Sequence, residues 1–495
     1  MDSLVIEGCA VATVDGTAAG MITDAGTGAE YESGHLVLAG GRIAAVGPGP
    51  APAVPDARVI DASGCLATPG LIGTHHHLFQ GLTRGLAQDS GLVPWLTTLY
   101  PLWARLDAGL HGAAARAGLA TLALSGCSAT ADHHYLFPRG GDDLLAAGVG
   151  AAGQIGLRLH ACRGSLDLGE SAGGLPPDSV VEDRDQILAA TEQAIDRYHD
   201  SSPAAMVRVA VAPSTPFAVT GQLMRESADL ARRKGVRLHT HLAETLDDRD
   251  LCRERFGRTP AEYLESLGWL GDDVWVAHGV HLDLPDIIKL GRAGTGVAHC
   301  PASNARLGAG IAPVPEFIAA GVPVGLGVDG AAANDHGGLA AEMRQSLLAA
   351  RVRRGASALT ARQALAVATM GSARCLGRQD EIGSLEVGKQ ADVALWRVDD
   401  LGHAATADPV WALVCGPPAR LELLTVAGRT VVAEGQLRTA DPAALTRDLR
   451  AAARALAGRH RAGRQPGIPR PATGPPPAGS RATRGGTPYW RYGGP

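Results

Sequence analysis

Between residues 71 and 328, eight short apolar runs alternate with stretches of helical character, and this alternation limits the fold more than any other feature. The runs are Leu71-Ile72, Ala129–Ala131, Gly156–His160, Val207–Val211, Val236–His239, Val274–Ala277, Gly296–Ala298 and Val324–Val328. Helical stretches fall at 182–199, 220–234 and 246–267, and Thr360-Ala-Arg-Gln363 is a capping box opening another helix through about Cys375. Short apolar strands separated by helices indicate βαβ units and a parallel sheet. Eight of them suit an α/β fold of the (β/α)8 TIM-barrel type, whose chemistry sits at the C-terminal ends of the strands.

The flanks read differently. Residues 1–68 are short strands and turns, as in Leu4-Val-Ile-Glu-Gly8 and Ala10-Val-Ala-Thr-Val14 before Asp15-Gly16. The same texture returns over 383–440, where Glu422–Gly435 reads as a hairpin turning at Ala427-Gly428. Neither module is large enough for an ample core of its own. The two ends are therefore expected to pair into one composite β-sandwich domain around a barrel spanning 69–382. A C-terminal helix is expected over 441–460. From 461 to 495 the chain is rich in Arg, Gly and Pro without an acidic residue, the composition of a disordered tail.

Composition removes several classes of function. A chain of 495 residues with 45% hydrophobic and 19% charged residues is globular in character. A net charge of -5 gives no electrostatic footprint for specific nucleic-acid binding. No apolar run reaches the length of a membrane span, and Met1–Glu7 lacks a basic signal start, so no membrane partner and a cytoplasmic location are expected. The eight cysteines are scattered with no CxxC pair, which points to buried, reduced thiols.

Chemistry concentrates at the strand ends. Pro69-Gly-Leu-Ile-Gly-Thr-His-His-His77 runs from an apolar stretch into three histidines. On a strand, His75 and His77 would share one face and could grip one metal ion, with His76 opposite. His241 and Glu244 follow the fifth run, His278 ends the sixth and Asp329 ends the eighth. Each has a plain alternative: a histidine closing an apolar strand is usually a core residue, and Asp before Gly usually a turn. Their joint order on successive strand ends aims four histidines and two carboxylates into one barrel mouth. Three histidines and one carboxylate can bind a divalent ion that lowers the pKa of a bound water to ~7. Hydrolysis at an unsaturated C–N carbon also needs a base near that water and an acid for a ring nitrogen. Asp329 and His278 suit the first task and Glu244 the second. His281, His76, His133, His134 and His299 are expected to be structural.

These residues resemble the amidohydrolase superfamily, in its branch of aminohydrolases acting on aromatic amines. The resemblance covers about residues 1 to 440 and rests on Pro69-Gly70 with His75-x-His77, His241-Leu-Ala-Glu244, Ala277–Leu282, His299-Cys-Pro-Ala-Ser-Asn304 and Gly327-Val-Asp329. It implies a (β/α)8 barrel with a composite β-sandwich. It also implies one divalent ion per subunit held by His75, His77, His241 and Asp329, with Glu244, His278 and Asp329 handling protons. Zinc is the expected ion, with iron also compatible. Binuclear members carry a modified lysine on the fourth strand, and Val207–Val211 has none.

Finer matches, among them Pro94–Arg105, Asp132-His-His-Tyr135, Leu159–Ser165 and Gly173–Glu182, are most similar to 8-oxoguanine deaminases. Gln80 matches a glutamine that contacts the purine in guanine deaminases, and an amide suits an edge showing both donor and acceptor. Trp95 and Arg163 join Gln80 as the residues expected to hold the ring. Guanine deaminases carry an arginine after the fourth strand, where this chain has Ala212-Pro-Ser214; cysteine is common at 214 in 8-oxoguanine-type members. The resemblance thus implies deamination of 8-oxoguanine to urate and ammonia, a small heterocyclic amine as partner, and a homo-oligomer. Guanine, isoxanthopterin, a thioadenosine or a hydroxy-s-triazine are alternative substrates, and a chlorotriazine hydrolase an alternative reaction. A non-catalytic metal-binding barrel would be expected to lack ligands, and none is lacking.

Overall fold

The computed structural model describes residues 3–17, 28–141 and 143–462. Eight parallel strands close into a barrel in chain order. They are β1 (Leu71–Gly73), β2 (Cys127–His134), β3 (Arg158–Ser165), β4 (Val207–Pro213), β5 (Arg237–Leu242), β6 (Val274–His278), β7 (Gly296–His299) and β8 (Val324–Leu326). The pairing of Leu326 with Gly73 joins β8 back to β1. Every residue of β2, β3, β6 and β7 is buried, because side chains fill the barrel on one face and helices cover the other.

All eight expected strands are present, with shifted limits. Gly156, read as a strand start, instead ends the helix Leu144–Ile155, and β3 runs on to Ser165. β2 likewise extends through His134. The single helix expected over 246–267 is two, Leu246–Phe256 and Pro260–Ser266. Gly257 stops the first with φ +64, and Thr259 starts the second in a capping box. The capping box at Thr360 forms as read.

Strands from both ends of the chain form one nine-stranded sheet, a domain additional to the barrel. At its centre, Cys65–Pro69 pairs in parallel with Leu4–Ala12 and antiparallel with Val393–Arg397. Ile6, Leu36, Ile43, Leu385, Val393 and Leu395 belong to its own core. The hairpin turns at Ala427-Gly428, both with positive φ. One buried ion pair ties this sheet to the barrel: Arg158 at the start of β3 donates Nε to Asp392 Oδ2 at 2.8 Å and Nη2 to Oδ1 at 3.0 Å.

A helix from Pro442 to Ala462 follows the sheet. Leu445, Ala452 and Leu456 form its buried face, and it packs against the turn Leu78–Thr83 and the helices Leu92–Trp103 and Ala108–Leu124. The tail from 463 onward lies outside the described residues. No helix among the described residues is long and apolar enough to cross a membrane. All eight cysteines are unbridged, and seven are buried.

Candidate metal centre and active site

The barrel mouth brings together the residues expected there. β1 ends at Gly73, so His75 lies just beyond the strand, and His76-His77 instead pairs with Asp329-Gly330. That short ladder draws the two ends of the barrel seam together and aims His75, His77 and Asp329 at one point. His77 Nε2 is 3.1 Å from His241 Nε2 and 3.2 Å from Asp329 Oδ1, and His75 Nε2 is 3.5 Å from the same oxygen.

The hydrogen-bond pattern sets the tautomers. His77 Nδ1 faces the His133 carbonyl at 2.7 Å and His241 Nδ1 the Ser214 carbonyl at 2.5 Å. A carbonyl only accepts, so both Nδ1 atoms carry the proton. His239 Nδ1 is fixed in the same way on the Trp275 carbonyl at 2.9 Å, which leaves its Nε2 to accept from His75 Nδ1 at 2.8 Å. All three Nε2 lone pairs therefore converge. His75 Nε2 is buried with no hydrogen-bond partner among the described residues. Burial pushes all three imidazoles below their usual pKa, keeping them in the neutral form that ligates metals. For Asp329 burial acts upward but is outweighed by its contacts with His75, His77 and His278, which hold its carboxyl well below the usual range, so it stays ionised. Three neutral imidazoles and one carboxylate at these separations fit a single divalent ion.

Two further groups face this centre. His278 Nε2 lies 3.6 Å from Glu244 Oε2. Glu244 is raised well above the usual carboxyl range, by burial first and then by the charges of Asp329 and Asp248, so it is a proton donor at neutral pH. Asp248 Oδ2 accepts the backbone N–H of Glu244 and of Thr245, each at 3.1 Å, and holds the loop. Ala243, His278 and Asp329 all have positive φ, a conformation costly for non-glycine residues and found where a site demands it.

The motif His299–Asn304 carried no assigned role in the sequence; the structure supplies one. It starts the helix Pro301–Arg306, from which Ser303 Oγ donates to Asp329 Oδ2 at 2.6 Å and Asn304 Oδ1 faces His278 Nδ1 at 3.0 Å. His239 is a second supporting residue that sequence reasoning missed, because nothing in the run Val236–His239 distinguishes it from a core histidine. His281 bonds the Ala309 carbonyl and His133 that of Ala212, consistent with structural roles.

Above the centre opens a cavity of ≈ 550 Å³, lined at its floor by His77, His241, Glu244, His278 and Asp329. Trp95 and Gln80 stand in its walls with Tyr100, Tyr135, Ser214 and Phe217. Gln80 contacts the Tyr135 hydroxyl, while its Oε1 has no partner among the described residues. Gly330 leaves room for this side chain, since a Cβ on it would overlap the Gln80 carboxamide. Arg163 must be corrected: it does not line this cavity. Its guanidinium turns away into a double contact with Glu182, at 2.6 and 3.0 Å, and stacks 3.9 Å over Phe137.

Comparison with known proteins agrees with this geometry. A family model described as "Amidohydrolase family" matches residues 66–431. An 8-oxoguanine deaminase of Pseudomonas aeruginosa is 48% identical over 86% of this chain and 95% of its own. An isoxanthopterin deaminase from an unknown prokaryotic organism is 39% identical over 76% of this chain and 83% of its own. The crystal structure of an atrazine chlorohydrolase from Arthrobacter aurescens TC1 complexed with zinc superposes with TM-score 0.84 and 34% identity, covering 91% of this chain and 100% of that one.

Proposed function

Because the chain belongs to the amidohydrolase family, we propose that it is a metal-dependent hydrolytic deaminase whose substrate is 8-oxoguanine. The products are urate and ammonia. The observation that carries the reading is the joint placement of a raised Glu244 carboxyl and the His278 imidazole beside a centre built from His75, His77, His241 and Asp329. A divalent ion there, for which zinc is the best-supported choice, supplies Lewis acidity and water activation. The chain's own residues do the rest. Asp329 and His278 accept the water's proton as it adds to the carbon bearing the exocyclic amine. Glu244 gives its proton to the adjacent ring nitrogen. The proton taken up by Asp329 and His278 passes to the exocyclic amine, the added hydroxyl returns a proton to Glu244 as it becomes a carbonyl, and the C–N bond breaks as ammonia leaves. Gln80 and Trp95 hold the heterocycle, the first through its free carboxamide oxygen and the second by its face.

The substrate rests on the P. aeruginosa relative and on Gln80. Ser214 lines the cavity beside His241 where guanine deaminases carry an arginine, and the missing arginine weighs against guanine. The cavity volume lies in the range of drug-sized ligand sites, which gives a pteridine such as isoxanthopterin a place as second reading.

The test is to supply zinc-loaded protein with 8-oxoguanine, guanine, isoxanthopterin and a chlorotriazine, and to measure ammonia and chloride. Ammonia from 8-oxoguanine well above the rest, lost in Glu244→Gln, is the expected result. Chloride release, or faster turnover of another ring, would replace the substrate assigned here.

A further inference from the structure

Successive side chains of β2 point to opposite faces. His133 joins His75 and His239 inside the barrel, while Asp132 and His134 face outward under the helices Ala108–Leu124 and Leu144–Ile155. On that outer side they meet His111, carried by the first of these helices. One ligand atom from each of His111, Asp132 and His134 lies within 4.8 Å of the others, and all three residues are buried. Their imidazole rings are 4.4 Å apart between centroids.

Three nitrogens in this cluster, His111 Nδ1, His111 Nε2 and His134 Nδ1, have no hydrogen-bond partner among the described residues. His134 Nε2 faces the Leu136 carbonyl at 2.8 Å, so it bears the proton and Nδ1 presents a lone pair. Asp132 Oδ1 accepts the Leu78 N–H at 2.8 Å. Its Oδ2 and His111 Nε2 both face the bare backbone of Gly148, where a Cβ would stand 4.0 and 3.2 Å from them. Two imidazole rings and a carboxylate from two elements are thus left facing one another. Buried ring nitrogens without partners are costly, and burial pushes the neighbouring Asp132 carboxyl up to about 7. A divalent cation satisfies all three at once, and imidazole with carboxylate is a zinc-type donor set.

We propose that His111, Asp132 and His134 form a second cation site, for one divalent transition-metal ion of the zinc class, separate from the centre in the barrel mouth. The ion clamps the helix Ala108–Leu124 to β2. Through Asp132 it also anchors the N–H of Leu78, the residue after His77.

Zinc alone is the probe. The full-length protein is loaded with zinc, passed through gel filtration and assayed for metal per chain, beside His111→Gln and the double variant His75→Ala/His77→Ala. Two equivalents in the parent and one in each variant are expected. The double variant loaded with cobalt(II) should also show visible d–d absorption from the remaining site. One equivalent in the parent, two retained in His111→Gln, or none in the double variant would overturn the site and leave the rings bridged by buried water. If His111→Gln does not fold, the parent and the double variant decide on their own.

Discussion

His75 Nδ1 lies 2.8 Å from His239 Nε2, and His239 is fixed in turn on the Trp275 carbonyl at 2.9 Å. This relay makes His75 present a lone pair to the centre, although no carbonyl touches it. Supporting residues of this kind are worth about 10- to 100-fold in metal affinity. His239→Phe should lower zinc affinity by that factor, read by competition with a chelator; unchanged affinity would remove the relay from the account.

Asn304 orients His278 as Ser303 orients Asp329. Asn304→Leu should leave zinc content intact and reduce kcat by roughly 10- to 100-fold, the cost of losing a positioned proton-transfer group. Loss of metal with the activity would show instead that the helix Pro301–Arg306 holds the ligands themselves.

Gly330→Ala places a methyl group against the Gln80 carboxamide. With Gln80 displaced, KM for the heterocycle should rise by about tenfold, equivalent to one hydrogen bond of about 1.4 kcal/mol. A variant with normal KM would show that Gln80 does not touch substrate.

Glu244 acts as an acid only while protonated. Burial, then the charges of Asp329 and Asp248, raise its pKa, so its proton is retained through neutrality and lost as pH rises further. The rate should therefore hold through neutral pH and fall on the alkaline side. The slow residual turnover of Glu244→Gln should lack that alkaline fall, and a limb that survives the substitution belongs to another group.

The pair Arg158–Asp392 joins barrel to sheet with both partners buried. Asp392→Leu leaves a guanidinium unpaired in the interior and should destabilise the fold by about 3–5 kcal/mol. Denaturant unfolding measures this, and a midpoint equal to the parent's would show that the joint carries no such weight.

The barrel and its mouth were legible because parallel strands put their chemistry at one end, so order along the chain became position in space. His241 and His278 needed only the strand limits. Arg163 was not legible: it lies in the segment Leu159–Ser165 that is similar to 8-oxoguanine deaminases, but its partner Glu182 lies beyond a loop that the strand pattern does not trace. The roles of Ser303 and Asn304 were hidden for the same reason, since the motif is local while Asp329 and His278 are tertiary neighbours. Gly257 was visible as a glycine, yet only the backbone shows that it divides one helical pattern into two helices.

The helix Pro442–Ala462 packs Leu456 into the same buried cluster as Phe79, inside the turn that carries Gln80. A ribosome delivers His77 early and Leu456 near the end of the described chain. The wall that carries Gln80 is therefore unbraced until Pro442–Ala462 has been synthesised. A message cut short before Pro442 would still encode every metal ligand, but its product would carry them beneath a slack wall. A stretch of chain remote in sequence from all four residues of the centre thus steadies the wall beside it.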